Sequence, residues 1–141
     1  MKPIFQTIIN NKTGNCQAAC IASILEVPLE EVPNFNEPDS THYNENMVKF
    51  FETTGYRFLS LYVGKDETSF DAIYFPYLVG CHCVVSVLSQ SLKNCSHAVV
   101  GKFEEKSNGE IELVIAHDPN PSNKPYEKLE YSGWVEFIVK K

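Results

Sequence analysis

The sequence predicts an α+β fold in which a buried N-terminal helix packs on an antiparallel sheet. Three observations support this prediction: a charge-free stretch over residues 16–25, an Asn108-Gly109 turn between two strand-like segments, and the order of the segments. Helical patterns come first and strand patterns follow, which is typical of α+β proteins. Because the chain has 141 residues, we expect a single domain, 1–141, with a core of ordinary size.

The first helix is predicted from apolar residues that recur at helical spacing. These residues are Ala18, Ile21, Ala22 and Leu25. Because residues 16–25 contain no charged side chain, we expect this helix to be buried on nearly every side. Asn15 suits the N-cap position, where its side chain would accept hydrogen bonds from the first turn, and Pro28 prevents continuation. The segment PLEEVPNF predicts one further turn, closed by Pro33.

The rest of the chain predicts a second helix and a series of strands. Either Asn44 or Asn46 is suited to cap the second helix, and Gly55 is suited to end it. Residues 65–75, KDETSFDAIYF, favour a short helix. Apolar patterns predict strands in YRFLSLYV, CHCVVSVLS, SHAVVGKFE, EIELVIAHD and WVEFIVK. Trp134, in the last of these strands, is assigned to the core.

Composition and charge exclude several classes of protein. The formal charge is −6 and no Lys/Arg cluster is present, so we expect no nucleic-acid partner. The N-terminus turns polar after a few residues and no apolar run is long enough to span a bilayer, so we expect no signal peptide, no membrane partner and a cytosolic location. Five cysteines cannot all pair within one chain, and reduced thiols are the default in the cytosol.

Three residues suited to thiol chemistry lie at the ends of predicted elements. Cys16 begins the first helix, where the helix dipole and unpaired N–H groups favour the thiolate. His97 opens one strand and Asp118 closes the next, so a hairpin about Asn108-Gly109 brings them together at its open end. An imidazole can take the thiol proton, and a carboxylate on its far nitrogen can fix the tautomer.

Two further choices complete this site. His117 precedes Asp118, but adjacent strand residues point to opposite faces, and we assign Asp118 to the site. An amide near the start of the first helix would form an oxyanion site with the backbone N–H of Cys16. Gln6 is the first candidate, and Asn15 is the alternative, although its capping role competes.

The motifs Q…GNCQAACIASIL, SHAVV and HDPNPS resemble the papain-like cysteine peptidases, in particular the compact bacterial C39-like type. The phrases GNCQAACIASILEVPLEEVPNF, HAVVGKF and HDPNPS also resemble a group of small uncharacterised phage and bacterial proteins, over residues 6–134. The resemblance implies a papain-like fold, with Cys16 as nucleophile, His97 as base, Asp118 as orienting acid and Gln6 as oxyanion donor. Gln6 lies ten residues before Cys16, a longer spacing than papain-type enzymes usually have.

We therefore expect a cysteine-dependent hydrolase that cleaves an amide, peptide or isopeptide bond through a thioester, without a cofactor. A processed peptide, a protein conjugate or a small amide is the expected substrate, and deamidation or acyl transfer would use the same residues. One alternative is a non-catalytic binding module of the same fold. Another is a zinc site, for which Cys81, Cys83, Cys95 and His97 are enough ligands; we favour thiols without a metal.

Overall fold

The computed structural model describes residues 1–38, 40–62, 69–70, 76–126 and 130–141. Two α-helices, α1 (Cys16–Leu25) and α2 (Tyr43–Thr53), precede all of the described strands. The strands are β1 (Tyr56–Tyr62), β2 (Ser69–Phe70), β3 (His82–Leu88), β4 (Ser96–Glu105), β5 (Ile111–His117) and β6 (Tyr131–Lys140). Short 3-10 turns cover Leu29–Glu31, Ser40–His42 and Pro76–Leu78.

The described strands form one antiparallel sheet in the order β1-β6-β3-β4-β5-β2. Helix α1 packs on β4 and β3 at the centre of the sheet, and α2 packs on the edge strand β1. The predicted α+β class, with an N-terminal helix on an antiparallel sheet, is therefore confirmed. No helix in the described ranges combines the length and apolar character that a membrane crossing requires.

The two faces of the sheet carry separate apolar clusters because successive strand residues point to opposite sides. On the helix face, the buried cluster includes Ala18, Ile21, Ala22, Phe35, Phe51, Val84 and Val100. On the far face, it includes Cys83, Val85, Val99, Phe103, Leu113 and Val135. All five cysteines are free thiols. Cys16 and Cys20 belong to the helix-face cluster, and Cys81 and Cys83 belong to the far-face cluster. The active-site candidates lie where α1 meets the start of β4.

Helix α1 is buried through most of its length, from Gln17 to Ser23, as its lack of charge predicts. The N-terminal arm is tied along it, since Ile4 N donates to Ser23 Oγ at 2.9 Å and Lys2 N donates to Ser23 O at 3.0 Å. The chain leaves the helix at Glu26, which has a left-handed φ of 61°. The arm and helix therefore form one packed unit in front of the sheet.

Several local predictions need correction. Asn15 precedes α1, but its side chain forms no cap hydrogen bond with the helix. Helix α2 begins at Tyr43, earlier than a cap at Asn44 or Asn46 would allow. Trp134 is 47% exposed and is not a core residue. Most of the short helix predicted over 65–75 lies outside the described residues, and the described pair Ser69–Phe70 forms strand β2.

Candidate active site

Cys16 begins α1 at the side of the helix that faces β4. Its Sγ accepts a hydrogen bond from the backbone N–H of Ala98 at 3.4 Å, and the nearby backbone N–H of Gln17 also helps to lower the pKa of the thiol. The side chain is only partly buried, whereas Cys20, one turn later, is completely enclosed. Cys16 is thus the thiol of α1 that a reagent or substrate can reach.

Side chains from the loop after α1 form hydrogen bonds with the turn that precedes Cys16. Asn34 Nδ2 donates to Thr13 O at 2.8 Å, and Asn36 Nδ2 donates to Gly14 O at 2.9 Å. At Gly14, a Cβ atom would lie 2.6 Å from Asn10 O, so only glycine fits this close backbone approach without a shift. The start of α1 is therefore fixed by tertiary contacts, independently of a side-chain cap.

His97 connects the thiol to a carboxylate. Its Nε2 lies 2.7 Å from Asp118 Oδ1, and the ring is 6% exposed. His97 also forms a side-chain hydrogen bond with Cys16. Because Nε2 contacts Asp118, this bond involves the other ring nitrogen, Nδ1. The structure thus brings together the three residues that the sequence nominates as a triad, in the series Cys16–His97–Asp118.

A β-bulge decides which residue of the His117-Asp118 pair faces His97. In β4 and β5, Gly101 pairs with Ile115 but Val100 pairs with His117, which leaves Ala116 as an extra residue. A regular ladder would have put His117 on the face of His97; the extra residue puts Asp118 there instead. His117 Nε2 lies 2.9 Å from Ile4 O, on the arm.

Asp118 is held by a polar network that the sequence analysis did not identify. Its Oδ1 accepts from Asn120 N at 2.8 Å, and its Oδ2 accepts from Asn123 Nδ2 at 2.9 Å. Asn123 Oδ1 in turn accepts from Ser91 Oγ at 2.8 Å and from Asn120 Nδ2 at 3.1 Å. The sequence signal for this network is the density of Asn and Ser after Asp118, a composition that is typical of loops.

Charges and hydrogen bonds shift the pKa of each triad member toward its ionised form. Burial opposes each of these shifts, but it is outweighed. The hydrogen bond and charge of His97, with the N–H of Ala98, lower the pKa of Cys16. Bonds to Asp118 and Cys16 raise the pKa of His97 to about 9. Bonds from His97, Asn123 and Asn120 lower the pKa of Asp118. The arrangement favours a thiolate–imidazolium pair at neutral pH.

Gln6 is buried in the arm between the two ends of the triad. Its backbone N donates to Pro119 O at 3.0 Å, next to Asp118. Its Nε2 donates to Ile8 O at 3.1 Å, and that carbonyl also accepts the backbone N–H of Asn15, next to Cys16. Among the described residues, Oε1 and the second Nε2 hydrogen of Gln6 have no hydrogen-bond partner. This amide therefore retains a donor for a ligand.

Asn15, the alternative oxyanion donor, is used elsewhere. Its Oδ1 accepts from Thr7 N at 3.1 Å and from Ile8 N at 2.9 Å, while its Nδ2 donates to Thr7 Oγ1 at 3.0 Å. These three bonds fasten the arm to the start of α1 and engage both ends of the amide. Each amide nitrogen donates only one of its two hydrogens, so the two candidates differ at the oxygen: Asn15 Oδ1 holds the arm, whereas Gln6 Oε1 has no partner among the described residues. Gln6 is therefore the amide that fewer hydrogen bonds hold in place.

The zinc alternative finds no support in the geometry. The described residues contain no group of three or more His, Cys, Asp or Glu side chains that could hold a metal ion. Cys81 and Cys95 instead direct their Sγ atoms to the carbonyl oxygens of Tyr77 and Lys93, each at 3.5 Å. His97 is bonded to Asp118. The four ligands proposed for zinc therefore do not converge.

Comparisons with known proteins found no matching family model, no matching curated protein and no matching solved structure. The likeness to papain-like peptidases therefore rests on the sequence motifs alone, and the assignment of function rests on the chemistry of the site.

Proposed function

We propose that this protein is a cysteine-dependent hydrolase of papain-like fold that cleaves an amide, peptide or isopeptide bond. The observation that carries the proposal is the hydrogen-bonded series Cys16–His97–Asp118, with the pKa of the thiol lowered and that of the imidazole raised. A structural histidine needs neither a thiol on one nitrogen nor a networked carboxylate on the other. This combination is what nucleophilic thiol catalysis requires.

The reaction begins with attack of the Cys16 thiolate on the substrate carbonyl carbon. The developing oxyanion accepts hydrogen bonds from the backbone N–H of Cys16 and from the spare Nε2 hydrogen of Gln6. His97 then donates its proton to the leaving amine as the carbon–nitrogen bond breaks, which leaves an acyl group on Cys16 as a thioester. Asp118 keeps the ring oriented throughout.

Deacylation needs a second nucleophile. Neutral His97 removes a proton from water, which attacks the thioester and releases the acid and the free thiol. Release of ammonia in the first step would make the reaction a deamidation, and attack by an amine in the second would make it an acyl transfer. The substrate is therefore a peptide, a protein conjugate or a small amide. The five free thiols fit a location in the reducing cytosol.

The test is the detection of an acyl-enzyme. Incubation with p-nitrophenyl acetate is expected to release a burst of p-nitrophenol equal to the protein concentration, with one acetyl group mapped by mass spectrometry to Cys16. Cys16→Ala abolishes the burst, whereas Cys95→Ala, which removes another partly exposed thiol, keeps it. A library of peptides and isopeptide conjugates then identifies the cleaved bond. Absence of any acetyl group on Cys16 would refute the hydrolase and favour the binding module.

A further inference from the structure

A cavity of about 540 Å³ lies between α2 and the strands β1 and β6. Its walls are largely apolar and aromatic, with a carboxylate on the sheet side. The apolar and aromatic lining includes Tyr43, Met47, Phe51, Tyr56 and Phe58. The carboxylate belongs to Glu136 of β6, which is paired with Ser60 of β1 on one side and Val84 of β3 on the other. Cavities of this size and lining accept small molecules or single side chains.

Glu136 is an incompletely paired acid in this cavity. Its Oε2 accepts from Gln17 Nε2 at 2.8 Å, and no hydrogen bond from a described residue reaches Oε1. Two basic residues, Arg57 and Lys141, also line the cavity. The Nζ of Lys141 donates to the carbonyls of Phe51, Glu52 and Thr54 at the end of α2. In the described part of the chain, no cation lies within ion-pairing distance of Glu136. Burial accordingly raises the pKa of its carboxyl group.

The position of Glu136 relative to the nucleophile follows from the register of the sheet. Gln17, which binds Glu136, is the residue after Cys16. Val84 pairs with both Glu136 and Val100, so two strand spacings, about 10 Å, separate Glu136 from Val100 of β4. Val100 lies two residues after Ala98, whose N–H donates to Cys16 Sγ. The carboxylate is thus within reach of a long side chain on a substrate held at Cys16.

We propose that this cavity binds a basic side chain of the substrate, with its aliphatic part against Met47, Phe51 and Phe58 and its cationic head on Glu136. The proposal rests on the hydrolase function above and narrows its substrate class to amides next to a lysine-like alkylammonium. A cation on the substrate would give Glu136 the ion-pair partner that it does not have among the described residues, since a half-buried carboxylate with one neutral hydrogen bond gains most from a charged partner.

The test compares two reagents that alkylate Cys16 and differ only in charge: N-(5-aminopentyl)-2-chloroacetamide and neutral N-pentyl-2-chloroacetamide. For the wild-type protein, we expect saturable alkylation of Cys16 by the ammonium reagent, faster by about tenfold, as one charge-assisted hydrogen bond provides. Glu136→Gln is expected to abolish the preference, because the amide oxygen still accepts from Gln17 but carries no charge. Glu52→Gln, which removes an equal charge from the same cavity, is expected to keep it.

The outcomes separate the two proposals. If neither reagent selects Cys16 over the other thiols, the hydrolase itself is refuted. If Cys16 reacts fastest but both reagents react equally in the wild-type protein, only the pocket is refuted, and this comparison needs no variant to fold. A preference that survives in Glu136→Gln, or that disappears equally in Glu52→Gln, also overturns the assignment to Glu136.

Discussion

His97 and Asp118 are separated by 21 residues in the chain, and Nε2 of one lies 2.7 Å from Oδ1 of the other because a bulge at Ala116 turns Asp118 toward His97. The contact leaves Nδ1 of the ring for Cys16. The two polar contacts of the imidazole therefore fix its orientation, and the ring links the sulfur to the carboxylate.

The ionisation of Cys16 should depend on His97. The bond to His97 lowers the pKa of Cys16, and the pKa of His97 is raised to about 9. The thiolate–imidazolium pair therefore forms as pH rises through the pKa of Cys16, and it is lost as pH rises through the pKa of His97. The difference in ultraviolet thiolate absorbance between wild type and Cys16→Ser should therefore be present at neutral pH. In His97→Ala it should appear only at higher pH. An unchanged titration in His97→Ala would contradict the ion pair.

Asn123 should act as a positioning residue for Asp118. Asn123→Ala removes the donor to Oδ2, so the pKa of Asp118 should rise and the acid limb of the rate–pH profile for Cys16 acylation should move to higher pH. The rate at neutral pH should fall by about tenfold, the value of one charge-assisted hydrogen bond. Ser122→Ala, at the exposed neighbouring position, is the control. A uniform fall without a shifted profile would indicate a purely structural role.

Gln6 should affect hydrolysis but not alkylation. Loss of one oxyanion donor lowers the acylation rate by about 10²–10³-fold. Alkylation of Cys16 by iodoacetamide forms no oxyanion, so Gln6→Ala should leave its rate within about twofold. Both rates are measured on the same preparation. If Gln6→Ala slowed alkylation as much as acylation, Gln6 would be acting on the thiol or the fold rather than on the oxyanion.

Asn15, unlike Gln6, should affect the stability of the fold rather than the rate of acylation. Its side chain fastens the arm to α1, and Asn15→Ala leaves the N–H groups of Thr7 and Ile8 without their acceptor. We expect a loss of about 1–3 kcal/mol in the free energy of unfolding, measured by urea denaturation. Full stability together with a large loss of acylation would instead identify Asn15 as an oxyanion donor.

The packing of the sheet can be tested at Gly101. A Cβ there would lie 2.7 Å from Val85 Cγ2 and 2.9 Å from Leu113 Cδ1, so Gly101→Ala should reduce the free energy of unfolding by about 1–3 kcal/mol. At Gly55, a Cβ would meet nothing within 4 Å, and Gly55→Ala should cost far less. Urea denaturation of both variants provides the comparison. Equal stability of the two variants would contradict the packing of β4 between β3 and β5.

The elements with strong local patterns were predictable from the sequence. The charge-free helix α1, the turn with Gly109 at a φ of +84°, and the alternating strand β6 all appear where periodicity and turn chemistry put them. The meeting of His97 and Asp118 at the open end of the hairpin follows from the same turn.

What the sequence could not reveal depends on contacts between distant segments. A bulge determines that Asp118, rather than His117, faces His97. The pattern of EIELVIAHD does not indicate where the strand accommodates an extra residue. Asn15 has the residue type of a cap, but tertiary hydrogen bonds to the arm compete for its side chain. Glu136 lies at a polar position of an alternating strand, and this pattern predicts an exposed side chain. In the structure, Glu136 lines a cavity together with residues of α2.

The most direct test of the central claim, that Cys16 is an activated nucleophile paired with His97, is competitive alkylation. The protein is treated with limiting iodoacetamide at neutral pH, and each thiol is quantified by mass mapping. We predict that Cys16 reacts faster than the partly exposed Cys81 and Cys95, and that this advantage is lost in His97→Ala. Labelling of Cys16 no faster than of Cys81 and Cys95 would contradict the claim.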